Sequence, residues 1–167
     1  MRLQAEKYVD EYITKALFTL MKNKKYDDIS ITEITNKAGV GRVSFYRNFN
    51  SKENIIKKWI KDTTDNFLKS SDINFKKDST KAFFIKLFNH LEKYKEEALL
   101  INKANLIHLL KAEFENRLLA THEKEYNNYK SYFIAGGVFN VYYFWLTNEC
   151  KESPEELADK LVDLMQK

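Results

Sequence analysis

An all-α fold is predicted by three features of the 167-residue sequence. The chain holds only four Gly and one Pro, too few breakers for a turn-rich β protein and suited to long helices with short connections. Apolar residues recur at intervals of three and four, the period of a helix with one buried face. No stretch alternates apolar and polar residues over strand length between Gly or Asn turns, so no hairpin is expected.

The first helix is expected from about Ala5 to Asn23, with Val9, Ile13, Ala16, Leu17 and Leu20 on one face. The polar run Asn23–Asp28 breaks it. A second, short helix opens at Ser30-Ile31-Thr32-Glu33, where the Ser30 hydroxyl and the Glu33 carboxylate can cap each other's backbone amides as a capping box. Ile31, Ile34 and Ala38 are its buried stripe. Gly39-Val40-Gly41 then reverses the chain, using two of the four glycines where a left-handed residue is needed, with Val40 as an apolar plug. A third helix, Arg42–Asn48, follows, and Asn50-Ser51 caps a fourth from Lys52 with Ile55, Ile56, Trp59, Ile60 and Phe67 inward. Longer amphipathic helices are expected near Ser79–Tyr94, Lys95–Leu119 (a break inside it is left open), Tyr129–Glu149 and Pro154–Gln166. The last is marked by Ser153 as N-cap, Pro154 at the first helical position and acidic residues at the positive helix end. Residues 1–50, 51–71 and 72–167 are read as an N-terminal three-helix unit, a connecting helix and a C-terminal helical domain, with the boundary at 72–78.

Charge is unevenly spread. Residues 1–67 carry 13 Lys/Arg against 9 Asp/Glu, whereas the remainder is balanced at 15 of each. Between Lys37 and Lys61, seven cations (Lys37, Arg42, Arg47, Lys52, Lys57, Lys58, Lys61) face only Glu53. A local basic segment beside a neutral remainder is the footprint of a phosphate-binding unit, although a solvated lysine-rich face has the same composition. The single Cys150 cannot form an internal disulfide, which fits a reducing compartment. The N-terminus lacks a signal-peptide apolar region. The longest apolar tract, Phe133–Leu146, falls short of a membrane span. A soluble, cytoplasmic protein is the expectation.

Helix, tight turn and helix over Ser30–Phe49 form the unit that lays its second helix in the DNA major groove. Ile31-Thr32-Glu33-Ile34, Ala38-Gly39-Val40-Gly41-Arg42-Val43-Ser44-Phe45-Tyr46-Arg47-Asn48-Phe49 and Ser51-Lys52-Glu53 resemble the N-terminal signature of TetR-family regulators over about Tyr26–Ile60. Gly41, Phe45 and Asn48 depart from that family's usual residues. The resemblance implies an N-terminal DNA-binding bundle and a C-terminal domain for ligand binding and dimerisation. It also implies a regulator, with repression as the expected sign, that binds a palindromic operator on double-stranded DNA as a homodimer and answers to a small apolar or aromatic effector. A helical co-activator or adaptor that keeps the fold but acts through protein–protein contacts is the alternative.

On this reading Thr32, Gly41, Arg42, Val43, Ser44, Tyr46, Arg47 and Lys52 are the DNA-contact candidates. Arg42, Ser44 and Arg47 lie on the outward side of the third helix, and Val43 or Phe45 lies inward with Phe49. Arg can bond a guanine edge bidentately and Ser several edges; Tyr46 in this family typically contacts a phosphate. Lys52, at a helix N-terminus, suits backbone neutralisation. Phe84, Phe88, Phe114, Tyr142 and Trp145 are pocket candidates, against the alternative that aromatics at helical spacing form core. Gly136 and Gly137, costly within a helix, with Leu157, Leu161 and Leu164, are dimer-interface candidates. His90, His108 and His122 lack metal-ligand spacing. No nucleophile–base constellation or phosphate loop is present, so neither catalysis nor a metal or cofactor is expected.

Overall fold

The computed structural model describes residues 2–70, 79–122 and 128–166, with side chains described for 8–69, 79–117 and 129–166. The boundary expected at 72–78 and the side chain of His122 lie outside the described residues. Nine α-helices run in order among the described residues: α1 Arg2–Met21, α2 Ile31–Ala38, α3 Arg42–Asn48, α4 Lys52–Ser70, α5 Thr80–Lys93, α6 Lys95–Lys103, α7 Ile107–His122, α8 Asn128–Thr147 and α9 Pro154–Gln166. None is long and apolar enough to cross a membrane.

Helix α1 buries Ile13, Ala16, Leu17, Phe18 and Met21. It ends where the amides of Asn23 and Lys24 both turn back onto the Leu20 carbonyl. A single 3-10 turn, Tyr26–Asp28, leads to Ile29, which is buried beside α1 although it lies outside any helical stripe. The capping box of α2 forms as the sequence requires. The Glu33 amide donates to Ser30 Oγ at 3.2 Å, and the Ser30 amide donates to the Glu33 carboxylate at 2.9 Å. Of the expected α2 stripe, Ile34 is fully buried while Ile31 and Ala38 are half-buried; Thr35, whose hydroxyl donates to the Thr32 carbonyl, completes the inner face.

Between α6 and α7 the helix expected over Lys95–Leu119 breaks at Asn105, which takes φ 58°. Asn is among the few side chains that tolerate this left-handed region. The turn closes through Leu106 N–H to the Ile101 carbonyl. After α8, Glu149 and Cys150 are both left-handed, and the Trp145 indole N–H donates to the Glu152 carbonyl at 2.9 Å to pin the return. Ser153 then caps α9 reciprocally with Glu156.

Two apolar clusters result. The first joins α1 to α4 around Leu17, Ile34, Phe45 and Ile56, and it also takes Ile101 from α6. The second gathers Phe88 of α5, Trp145 and Tyr142 of α8 and Leu157 and Leu161 of α9. Helices α4 and α6 each serve both: Ile55 and Ile56 lie in the first and Phe67 in the second, Ile101 in the first and Ala98 in the second. Two rigid elements thus run between the helix-turn-helix and the C-terminal helices.

Candidate nucleic-acid interface and effector cavity

The turn between α2 and α3 is set by Gly39, the one glycine with positive φ (68°). Its amide donates to the Asn36 carbonyl and the Val40 amide to the Thr35 carbonyl, the hydrogen bonds of a Schellman-type end. Gly41 sits in ordinary extended backbone (φ −75°) as N-cap of α3, and a Cβ there would meet nothing within 4 Å. Only Gly39 is demanded by the turn itself.

Helix α3 is held from inside by Phe45 and Phe49, both buried. Phe45, not Val43, is therefore the inward residue; Val43 is 76% exposed. Outward lie Arg42, Val43, Tyr46 and Arg47, with the Arg42 guanidinium 6.0 Å above the Tyr46 ring. Ser44 is half-buried and its carbonyl accepts from the Asn48 amide group at 2.8 Å. Thr32 is exposed in the first turn of α2. The turn and the outer side of α3 thus bring Gly41, Arg42, Val43, Tyr46 and Arg47 onto one surface.

Lys52 does not join them. Its ammonium donates to the carbonyls of Tyr26 (2.7 Å), Ile29 (2.7 Å) and Asp27 (3.2 Å), and it lies 4.6 Å from the Tyr26 ring centre. All three protons are used in fastening the α1–α2 connection to the start of α4. Burial lowers its pKa from the ordinary lysine value, opposed by the charges of Asp27 and Asp28.

The remaining basic segment is thinner than its composition. Lys57 pairs with Glu53 at 2.6 Å, and Lys58 with Asp62 at 3.0 Å and Asp10 at 3.7 Å. Among the described residues Lys61 makes no ion pair, nor do Lys37, Arg42 and Arg47. The last three are the free cations beside the turn and on α3. Glu33, within the capping box, is held down to about pH 2 by its hydrogen bond from Lys24 and then by those from Ser30, so it remains an anion bound within the protein.

A cavity of about 90 Å³ lies between α4, α5, α7 and α8. Of the pocket candidates, Phe114 and Tyr142 line it; Phe84, Phe88 and Trp145 pack instead into the second core. Its lining also includes Trp59, which helical spacing already turns inward, and His90, Tyr94, Glu113 and Arg117, which periodicity does not single out. A single signal was available: Glu113 and Arg117 stand four apart on α7 and pair at 2.7 Å, with Arg117 also bonded to Asp65 of α4. Trp59 packs edge-on against Phe18 of α1 at 5.0 Å and against Tyr94 at 5.7 Å, so one ring touches both the first core and the cavity wall.

The dimer candidates separate in the same way. Leu157 and Leu161 are buried in this chain's own core, on the face of α9 that packs against α5, while Leu164 is 65% exposed. On α8, Gly137 is exposed and Gly136 half-buried, and a Cβ on either would meet nothing within 4 Å. They lie on an outward stripe with Tyr129, Phe133, Asn140 and Phe144, opposite the buried stripe of Ala135, Val138, Tyr142 and Trp145. Among the described residues no group of three or more His, Cys, Asp or Glu is arranged to hold a metal ion.

A short helix fixed from behind by two phenylalanines, with its cationic outer side bare, defines a helix-turn-helix DNA-binding protein with an appended helical domain. The comparisons agree in both halves. Residues 13–58 match the family described as bacterial regulatory proteins, tetR family, and residues 78–167 match its transcriptional regulator C-terminal region. The chain belongs to the TetR family. Its fold is similar to the crystal structure of a TetR transcriptional regulator from Streptococcus agalactiae 2603V, with a TM-score of 0.70 over 98% of this chain and 96% of that one, at 18% identity. No curated protein matches the sequence. Family membership makes this chain a DNA-binding regulator of transcription and not an enzyme.

Proposed function

We propose that the protein is a homodimeric repressor that reads a palindromic operator with two copies of α3 and releases it when a small effector fills the C-terminal cavity. The observation that carries the reading is the outer side of α3. Arg42, Val43, Tyr46 and Arg47 are exposed there on a helix whose orientation Phe45 and Phe49 fix. Arg42 and Arg47 suit guanine edges or phosphates, Val43 a thymine methyl, and the Tyr46 hydroxyl a phosphate. Gly41, as N-cap of α3, and Thr32, exposed in the first turn of α2, are further candidates for backbone contact.

Seven residues of helix contact too few base pairs for specificity, which a two-fold partner supplies with half-sites about one turn of DNA apart. The outward stripe of α8 supports a second copy as that partner. Phe133 is 81% and Phe144 65% exposed, and the glycines between them leave space for a close approach. An apolar stripe of this kind on a soluble chain marks a protein contact. Leu164 and Met165 of α9 are exposed as well.

The test is a mobility shift on the DNA flanking the gene. Arg42→Ala should cost about 1–3 kcal/mol and relax preference at the contacted position, while Tyr46→Phe should weaken all sites evenly. If both variants keep wild-type affinity and footprint, α3 is not the reading element.

A further inference from the structure

The cavity between α4, α5, α7 and α8 has a chemistry more specific than apolar. Its volume, about 90 Å³, lies below the ~150 Å³ of a dry cavity that accepts benzene. A single ring therefore already calls for some side-chain repacking, and anything larger than one ring is disfavoured. The walls are mainly apolar, with aromatic rings that include Trp59, Phe114, Phe139 and Tyr142.

Thr63 and Thr64 spend their hydroxyl protons on carbonyls of their own helix, and Tyr94 and Tyr142 contribute phenol hydroxyls; the remaining polar groups are of two kinds. At the partly exposed rim, the Arg117 guanidinium is already held by two carboxylates, Glu113 and Asp65. An anion there would have to displace a carboxylate and face the surplus negative charge. A cation would meet that surplus charge only at the rim and would surrender its hydration on entering the apolar interior. The second kind is His90. Its ring lies 4.7 Å from that of Phe67 and 5.1 Å from that of Tyr94, and none of the hydrogen bonds among the described residues involves it. A half-buried imidazole with no protein partner is a vacant donor and acceptor on the cavity wall. Burial, with a smaller push from Lys93, brings its pKa down to about 4, so it is neutral at physiological pH.

Taking from the reading above that this cavity holds the effector, we propose that the ligand is an uncharged, single-ring aromatic compound bearing one hydrogen-bonding substituent. The ring lies among the aromatic walls and the substituent meets His90. Phenol is the simplest molecule of this class, and toluene is its match in size without the hydrogen bond.

The experiment is calorimetric titration of the full chain, without DNA, with phenol, toluene, benzoate and benzylamine. Phenol should bind one per chain and roughly tenfold more tightly than toluene, the factor one net hydrogen bond confers. Benzoate and benzylamine should each bind at least about tenfold more weakly than phenol. His90→Leu should bring phenol to the toluene level and leave toluene within about twofold of wild type. Leu110→Phe, which fills the void from α7, should abolish binding of both neutral probes and serves if the His90 variant fails to fold. The proposal is overturned if either charged probe matches phenol, if the folded His90 variant keeps the preference for phenol, if Leu110→Phe leaves phenol binding intact, or if neither neutral probe saturates. These titrations involve no DNA, so their failure leaves operator binding untouched. Conversely, phenol that binds but does not change operator retention counts against effector control alone.

Discussion

Replacing Lys52 by Met separates two roles that the sequence does not distinguish. The ammonium donates to three carbonyls, of Tyr26, Asp27 and Ile29, two of them partly buried. Methionine keeps the aliphatic stem and removes every donor. A hydrogen bond from a charged donor contributes about 1.5–3 kcal/mol, but carbonyls that water can reach recover most of theirs. The net loss is therefore about 2 kcal/mol, or a fall of roughly 4–8 °C in Tm for a chain of this size. Arginine should rescue little, because a planar fork cannot converge on three carbonyls as a rotating ammonium does. The second readout is the salt dependence of operator binding. Lys37, Arg42 and Arg47, without ion pairs in the protein, provide six cations per dimer, for a log–log slope of about −5. A Lys52 spent within the protein leaves that slope unchanged on mutation. If Lys52 neutralises phosphates instead, the slope shrinks by about 2 units per dimer while Tm holds. Thermal melts and salt-titrated mobility shifts on the same preparation decide it, and the second pattern would refute the clip.

Two further outcomes follow from burial. Phe133→Glu, on the outer side of α8, should leave the circular dichroism spectrum intact and convert the dimer to monomer in sedimentation equilibrium. Leu161→Glu should instead cost at least ~3 kcal/mol and unfold the C-terminal helices, since it places a carboxylate in the core against α5. A folded, dimeric Phe133 variant would remove α8 from the interface. Stability should also decline with acid on account of His90. Its folded pKa, about 4, lies below its ordinary 6.5, so the unfolded chain binds the extra proton between those values. The contribution is complete above pH 6.5 and lost as pH falls toward 4. Tm measured against pH should lose that part of its slope in His90→Leu, and an unchanged slope would refute the assignment.

What the sequence made legible was local. The capping box of Ser30 and Glu33, the glycine end of α2 and the Ser153-Pro154 start of α9 are patterns within four residues, and they stand in the structure where the pattern puts them. Choices between faces were not legible. Val43 and Phe45 are both apolar, and only packing against the first core sends Phe45 inward. Five aromatics were candidates for the cavity, yet three became core, because helical spacing says that a ring is buried without saying whether a void lies beside it. The charge run misled for a different reason. Its last residue, Lys61, stops one short of Asp62, and Asp10 arrives from another helix, so Lys58 acquires two acidic neighbours that the window did not contain. Lys52 was drawn toward carbonyls, which carry no formal charge and so never enter a charge count.

The glycine pair of α8 shows how structure can sharpen a sequence clue without replacing it. Gly136-Gly137 inside a helix costs about 1 kcal/mol per residue relative to Ala, which asks for a reason. Close packing within the chain is the usual one, and here it is absent, since neither position has a neighbour within 4 Å of where a Cβ would stand. In the proposed dimer the reason lies outside the chain. Helix α8 is apolar on two opposite sides: one is filled by the core around Trp145 and Tyr142, and the other carries Phe133 and Phe144 in the open. The α9 stripe divides similarly, because α5 covers Leu157 and Leu161 but not Leu164. A helix with two apolar faces and a small-residue gap in the exposed one fits a two-fold contact. There the same stripe meets itself, and the missing side chains allow the backbones to approach. Gly137→Leu should therefore weaken self-association while leaving the isolated chain as stable as before or more so. A loss of monomer stability would place the reason for the glycines back inside the fold.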